Sequence, residues 1–69
     1  MKISARNALK GKVVEVTKGA TTSHVRIDVG GGSIVTAAIT NTSVDELGLE
    51  AGKTAYAVIK ASDVIVGID

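Results

Sequence analysis

The chain contains no cysteine, a single aromatic residue and no long apolar run. Without cysteine it forms neither disulfides nor thiolate metal sites, and one histidine cannot build a zinc site without help from carboxylates or other subunits. Barrels that bind single-stranded nucleic acid usually present stacking aromatics in a basic groove, whereas this chain has one tyrosine and a net charge of +1. No stretch approaches the roughly 20 apolar residues of a membrane span, and no apolar core of a secretory signal follows the N-terminus. The sequence therefore predicts a cytoplasmic protein that binds neither membranes nor nucleic acid.

The chain is also short. Its 69 residues are expected to form one domain, residues 1–69. A chain of this length buries a modest fraction of its surface, so its own core is marginal. Apolar residues nevertheless make up 45% of the sequence. Because disulfides are excluded, we expect oligomerisation to supply the missing burial.

The pattern of apolar residues predicts a chain made mostly of β-strands. In one run Val25, Ile27 and Val29 alternate with polar residues, which is typical of a half-buried strand. His24 is therefore expected to face solvent or an interface. The five strand-like runs are Gly11–Thr17, His24–Val29, Ile34–Thr40, Thr54–Lys60 and Val64–Ile68.

The connections between these runs complete the predicted fold. The segment Lys18–Ser23 is expected to be a loop. The glycine-rich segment Gly30–Ser33 lies between two strands with no helix after it, which favours a hairpin with positive φ over a phosphate cradle. The one helical signal has Ser43 as N-cap, Glu46 as its capping-box partner and Gly48 as C-cap. Three strands, a short helix and two strands predict an all-β, five-stranded OB-like barrel with the helix between strands 3 and 4.

The segment Ser4-Ala5-Arg6-Asn7 combines a fixed cation with neutral donors, just before the first strand-like run. Arg6 presents a planar fork of N–H groups and stays charged at physiological pH. Ser4 and Asn7 add neutral donors, and the small Ala5 leaves backbone amides open to close approach. Such a set suits the binding of an anion. On these four residues alone, a solvated segment with Arg6 in a surface ion pair remains an alternative.

Two later segments, Ile39–Ser43 and Ile59–Val64, follow in an order and spacing that resembles the molbindins, a family of molybdate-binding domains. Similar Mop/TOBE-type domains occur on molybdate-transport ATPases and molybdate-responsive regulators, and the resemblance covers essentially the whole chain. It implies that molybdate or tungstate binds through its oxygens, without an organic cofactor and without direct coordination of the metal. It also implies a second oxyanion site, whose residues it does not identify. The positions that match the oxyanion-binding motifs are Ser4, Ala5, Arg6, Thr40, Ser43, Lys60 and Ala61.

The chemistry of these residues agrees with the resemblance. Molybdate is a tetrahedral dianion whose oxygens only accept hydrogen bonds, so its site needs converging donors and positive charge. Arg6 and Lys60 supply the charge, and the hydroxyls of Ser4, Thr40 and Ser43 supply directed donors. Two of these residues also have an interpretation that involves no anion: Ser43 caps the predicted helix, and Lys60 would by default be an exposed strand lysine.

The resemblance further implies a homo-oligomer, a hexamer built as a trimer of dimers, with oxyanions bound between subunits. The sequence shows no paired nucleophile and base, no metal-ligand set and no carboxylate dyad, so we expect no enzymatic activity. As a chain that starts at Met1 without an attached ATPase or DNA-binding segment, it favours storage or buffering of molybdate over sensing. A single-stranded nucleic-acid-binding barrel and a regulatory oxyanion-sensing domain are the alternative functions.

Overall fold

The computed structural model describes residues 1–69 and contains four strands, one α-helix and one 3-10 turn. All strand pairs are antiparallel, in the order β3-β2-β1-β4. The sheet curls into an OB-like half-barrel whose free edges are β3 and β4. The helix has seven residues, and no helix is long and apolar enough to cross a membrane. The elements are β1 (Asn7–Lys18), β2 (Thr22–Gly30), β3 (Ser33–Thr40), α1 (Asn41–Leu47), β4 (Thr54–Ile59) and the 3-10 turn (Ala61–Asp63).

The predicted fifth strand, Val64–Ile68, is wrong. Strand pairing ends at Ile59 and a 3-10 turn follows, in which the Asp63 backbone N–H donates to the Lys60 carbonyl at 2.9 Å. The segment beyond the turn pairs with no strand, and the Ile65 side chain is 94% exposed. Its apolar composition predicts a strand, but composition does not show whether a neighbouring strand is within reach.

Strand β1 is shared between two partners. Its first half pairs with β4 and its second half with β2, and Lys12 belongs to both pairings. The preceding residue, Gly11, passes so close to β2 that a Cβ there would lie 2.3 Å from the backbone oxygen of Asp28. A register shift between Val13 and Glu15 follows, and such irregularities bend a strand. Gly11 therefore permits the bend that lets one strand serve two neighbours.

The core is small and lies inside the curl of the sheet. Its β2 members, Val25 and Ile27, occupy the inward positions that the alternation predicts, while His24 is exposed. Only 6 of the 69 residues are buried, which fits the marginal core expected for this length. The buried apolar residues are Val13, Val25, Ile27, Val44 and Ala57.

The hairpin between β2 and β3 confirms the prediction for the glycine run. Gly31 and Gly32 have φ values of 61° and 80°, as a two-residue hairpin turn of the mirror-image type requires. The preceding Gly30 backbone N–H donates to Asp28 Oδ1 at 2.8 Å. The predicted loop Lys18–Ser23 is shorter than expected, because both of its ends belong to strands β1 and β2.

Replacing Gly11 with alanine is expected to lower the free energy of unfolding by about 1–3 kcal/mol, because the added methyl group meets backbone that cannot rotate away. Chemical denaturation at a fixed protein concentration measures the change. Thr17→Ser, at an exposed position of the same strand, is the control and should stay within about 0.5 kcal/mol of the parent. A Gly11→Ala protein as stable as the parent would contradict the close approach.

Candidate functional site

The pairing of β1 with β4 brings the first and third sequence motifs together. Asn7 pairs with Ile59, and its side-chain Nδ2 donates to the Ile59 carbonyl at 3.2 Å. Arg6 and Lys60 are the next residues outward, one before β1 and one after β4, so both cations lie at the same end of the sheet. Residues 52 positions apart in the sequence therefore meet through one strand pairing.

The cationic end consists of Ser4, Ala5, Arg6, Lys60 and Ala61. Ser4, Arg6 and Lys60 are exposed, Ala5 is half-buried, and Ala61 opens the 3-10 turn. These segments offer backbone N–H groups and a hydroxyl beside two positive charges. Five of the seven predicted site residues thus lie in one region.

Neither cation of this region is held by a carboxylate. The ion pairs of the chain join Lys18 to Asp45 at 2.6 Å and Arg26 to Glu15 at 3.8 Å. The alternative in which Arg6 forms a surface ion pair is therefore not observed. The charge at this end of the sheet is available to an external anion. Nowhere do three His, Cys, Asp or Glu side chains group closely enough to hold a metal ion.

Thr40 and Ser43, the two remaining predicted residues, contact each other at the start of α1. Thr40 Oγ1 accepts from the Ser43 backbone N–H at 3.1 Å and donates to Ser43 Oγ at 2.8 Å. The Ser43 hydroxyl therefore accepts one hydrogen bond and keeps its own proton for an outside acceptor. We call these two residues the hydroxyl pair.

The prediction that Ser43 is the N-cap is wrong, since Thr40 holds that position. Thr40 is extended (φ −68°, ψ 150°) at the end of β3, and its hydroxyl reaches the third residue of the helix, as an N-cap does. The helix consequently starts two residues before Ser43, and Glu46 closes no capping box. The C-cap prediction is confirmed, because Gly48 has φ 62° and its N–H reaches Asp45 and Val44 carbonyls.

Asn41 fixes the hydroxyl pair to the sheet. Its Oδ1 accepts from Ser23 Oγ at 2.5 Å, its Nδ2 donates to the Gly19 carbonyl at 3.0 Å, and its backbone N–H donates to the Thr21 carbonyl at 2.9 Å. Neither Asn41 nor Ser23 is among the predicted site residues. Ser23, fully buried, falls in the same inward phase as Val25, and a buried hydroxyl at such a position requires a partner. The alternation of buried and exposed residues along β2 was therefore the signal in the sequence that could have identified Ser23.

The cationic end and the hydroxyl pair are associated with opposite ends of strand β1. Strand β1 begins beside Arg6 and ends at Lys18, which pairs with Ser23 on β2; the preceding residue, Thr22, pairs with Thr40. Within a single copy no hydrogen bond joins the two groups of donors, since the hydroxyls of Thr40 and Ser43 bond only within this pair.

Comparison with known proteins identifies the family. Residues 3–66 match the TOBE domain. The chain belongs to the TOBE-domain family. A probable molybdenum-pterin-binding protein of Haemophilus influenzae is 52% identical to this TOBE domain over 69 residues, which covers all of both chains.

Solved structures agree with this assignment. A molybdate-binding protein from Sporomusa ovata matches with a TM-score of 0.91 and 38% identity, over 99% of this TOBE domain and all of that chain. The cytoplasmic molybdate-binding protein ModG, solved with molybdate bound, matches with a TM-score of 0.95 and 43% identity. That match covers all of this TOBE domain and 49% of ModG. The predicted resemblance to the molbindins is confirmed.

Thr40→Ala in this TOBE domain is expected to lower the free energy of unfolding by about 1 kcal/mol, because it removes the N-cap acceptor. Ser43→Ala should cost clearly less, since the backbone N–H of residue 43 still reaches Thr40. Thr40→Ser keeps a capping hydroxyl and is the control that should recover most of the loss. Urea denaturation of the three variants compares them, and equal losses for Thr40→Ala and Ser43→Ala would contradict the assigned cap.

Proposed function

We propose that this chain binds molybdate and tungstate in the cytoplasm, without catalysis, and serves to store or buffer these oxyanions. The observation that carries the proposal is the pair of cations, Arg6 and Lys60, which flank the last residue pair of the β1–β4 pairing and have no carboxylate partner. The relatives that bind molybdate support the choice of anion. The end-to-end match with the H. influenzae relative supports a binding protein of this size.

The cationic end supplies what a tetrahedral dianion needs. The fork of Arg6 donates to two oxygens at once, and Lys60 adds a second positive charge. The Ser4 hydroxyl and the backbone N–H groups of Ala5 and Ala61 donate to the remaining oxygens. Every donor acts on an oxygen of the anion, so the coordination of molybdenum itself stays intact and no protein ligand to the metal is required.

The hydroxyl pair enters the same site from another copy of the chain. Within one copy, Ser43 forms no hydrogen bond with the cationic end, and its hydroxyl proton has no acceptor in the protein. A site between subunits uses both groups of donors: the cationic end of one copy and Thr40 with Ser43 of the next. A hexamer arranged as a trimer of dimers provides such interfaces in a closed symmetry.

Isothermal titration calorimetry tests the binding function. Molybdate and tungstate, which share charge and shape, are expected to bind saturably with similar affinity. Sulfate carries the same charge but is smaller, so donors fixed for the larger anion should bind it roughly tenfold more weakly or worse, a difference of about 1.4 kcal/mol. Equal affinity for sulfate would contradict a dedicated molybdate site.

A matched pair of arginine variants shows whether the heat of molybdate binding arises from binding at the cationic end. Arg6→Lys keeps the charge but loses the fork, so molybdate affinity should fall clearly. Arg26→Lys makes the same change on β2, at an arginine that faces Glu15 of β1. The molybdate affinity of this variant should not change. If both variants bind like the parent, Arg6 is not part of the site.

Mixing two defective variants tests whether the site is shared. Arg6→Ala damages the cationic end, and Ser43→Ala damages the hydroxyl pair while leaving the N-cap in place. When the two variants are unfolded and refolded together in equal amounts, about a quarter of shared sites combine two intact halves by random assortment around the assembly. Titration should therefore recover about that fraction of high-affinity sites.

The control mixture combines Arg6→Ala with Lys60→Ala. Both residues belong to the cationic end of one copy, so no assortment of these chains restores an intact site. High-affinity sites should be absent from this mixture. Recovery in neither mixture, with each variant still folded, would place all the donors on one chain and overturn the shared site.

A further inference from the structure

One side-chain hydrogen bond joins the two segments that carry the cations. Nδ2 of Asn7 donates to the carbonyl oxygen of Ile59 at 3.2 Å, and no other side chain forms a hydrogen bond between β1 and β4. The two residues form the last pair of the β1–β4 pairing. Both are half-buried, and a hydrogen bond partly shielded from water is electrostatically stronger than an exposed one. The bond therefore lies where the sheet ends and the cationic end begins.

The Asn7 side chain acts directly on the backbone of Lys60. The Ile59 carbonyl and the Lys60 N–H share one planar peptide unit, so a bond to that carbonyl fixes the orientation of the unit. On its other side, the Lys60 carbonyl accepts from the Asp63 backbone N–H at 2.9 Å. Arg6 is covalently attached to Asn7. One amide thus links the backbones from which both cations extend.

This end of the sheet needs such a link. Strand pairing stops at Asn7 and Ile59, and the ends of paired strands open most readily. Arg6 and Lys60 occupy the next position on each segment, where like charges repel each other, and neither has a carboxylate partner. A neutral amide opposes the separation of the two segments without cancelling their charge. A carboxylate at position 7 would compete with the anion for that charge.

We infer that Asn7 is a positioning residue, whose amide sets the spacing between Arg6 and Lys60 before an anion binds. The inference rests on the proposed oxyanion binding, and it replaces the role of neutral anion donor expected for Asn7 from the sequence. Donors that are already in place lose less conformational freedom when the anion arrives. Their fixed spacing also favours an anion of one size, so Asn7 contributes to the discrimination between molybdate and the smaller sulfate.

Hydrogen exchange without any anion tests the link between the two segments. In Asn7→Ala, backbone N–H groups at the start of β1 and the end of β4 should exchange several-fold faster, while those of β2 and β3 stay as in the parent. Asn7→Gln keeps the amide on a longer side chain and should recover part of the protection. The control is Thr54→Ala, at the opposite end of the same pairing, where Thr54 pairs with Lys12. It should leave exchange around Asn7 unchanged.

Unchanged exchange around Asn7 in the alanine variant would overturn the inference. So would acceleration by the same factor in β2 and β3, because that pattern reports a general loss of stability and not a local opening.

Calorimetric titration with molybdate and with sulfate tests the effect on binding. Asn7→Ala should bind molybdate roughly tenfold more weakly and lose less affinity for sulfate, so the ratio of the two affinities should fall. This ratio does not depend on the fraction of protein that is folded, so a loss of stability alone leaves it unchanged. Thr54→Ala should keep the ratio of the parent.

The two measurements separate this inference from the proposed function. A parent protein that binds molybdate no better than sulfate contradicts the proposed function, and the exchange measurement, which contains no anion, still decides whether Asn7 holds the two segments together. A parent that discriminates and an Asn7→Ala protein with the same ratio would overturn the inference alone. Weaker molybdate binding with unchanged exchange would make Asn7 a direct donor to the anion, which also contradicts a positioning role.

Discussion

The close passage of β1 against β2 at Gly11 determines the path of the whole sheet. Because Gly11 has no side chain, β1 bends far enough to pair with β4 along its first half and with β2 along its second. The same strand carries Val13 into the centre of the core. Its first residues adjoin the cationic end, and its last residue pairs with the part of β2 that lies beside Thr40 of the hydroxyl pair. The division of oxyanion donors between two regions thus follows from the course of one strand.

The sequence predicts best those parts of the fold that depend on local patterns. The alternation around Val25 identifies the buried face of β2, and the glycine run identifies a hairpin. The predicted start of the helix is wrong because the end of β3, at Thr40, determines which residue caps the helix. The S-x-x-E pattern at Ser43 carries no information about where β3 ends. The expected strand Val64–Ile68 fails for a related reason, since apolar composition records a preference for burial and not the presence of a neighbour.

The site is predictable to a similar extent. The motifs around Arg6, Thr40 and Lys60 identify residue types suited to an oxyanion, but their spacing does not say which of them meet. The Asn7–Ile59 pairing joins the first and third motifs and leaves the second apart. The role of Asn41 was not predicted, because it depends on a half-buried hydrogen bond with Ser23 that only the folded structure reveals.

The pairing of Asn7 with Ile59 also has a consequence for the order of folding. The β1–β2 and β2–β3 pairings join consecutive strands through short turns, so they form with little loss of chain entropy. The β1–β4 pairing joins residues 52 positions apart and closes the longest loop in the sheet. We therefore expect the end of the molecule that carries Arg6 and Lys60 to be completed late, after the three-stranded meander. Any molecule that contacts Arg6 and Lys60 together also holds that loop shut.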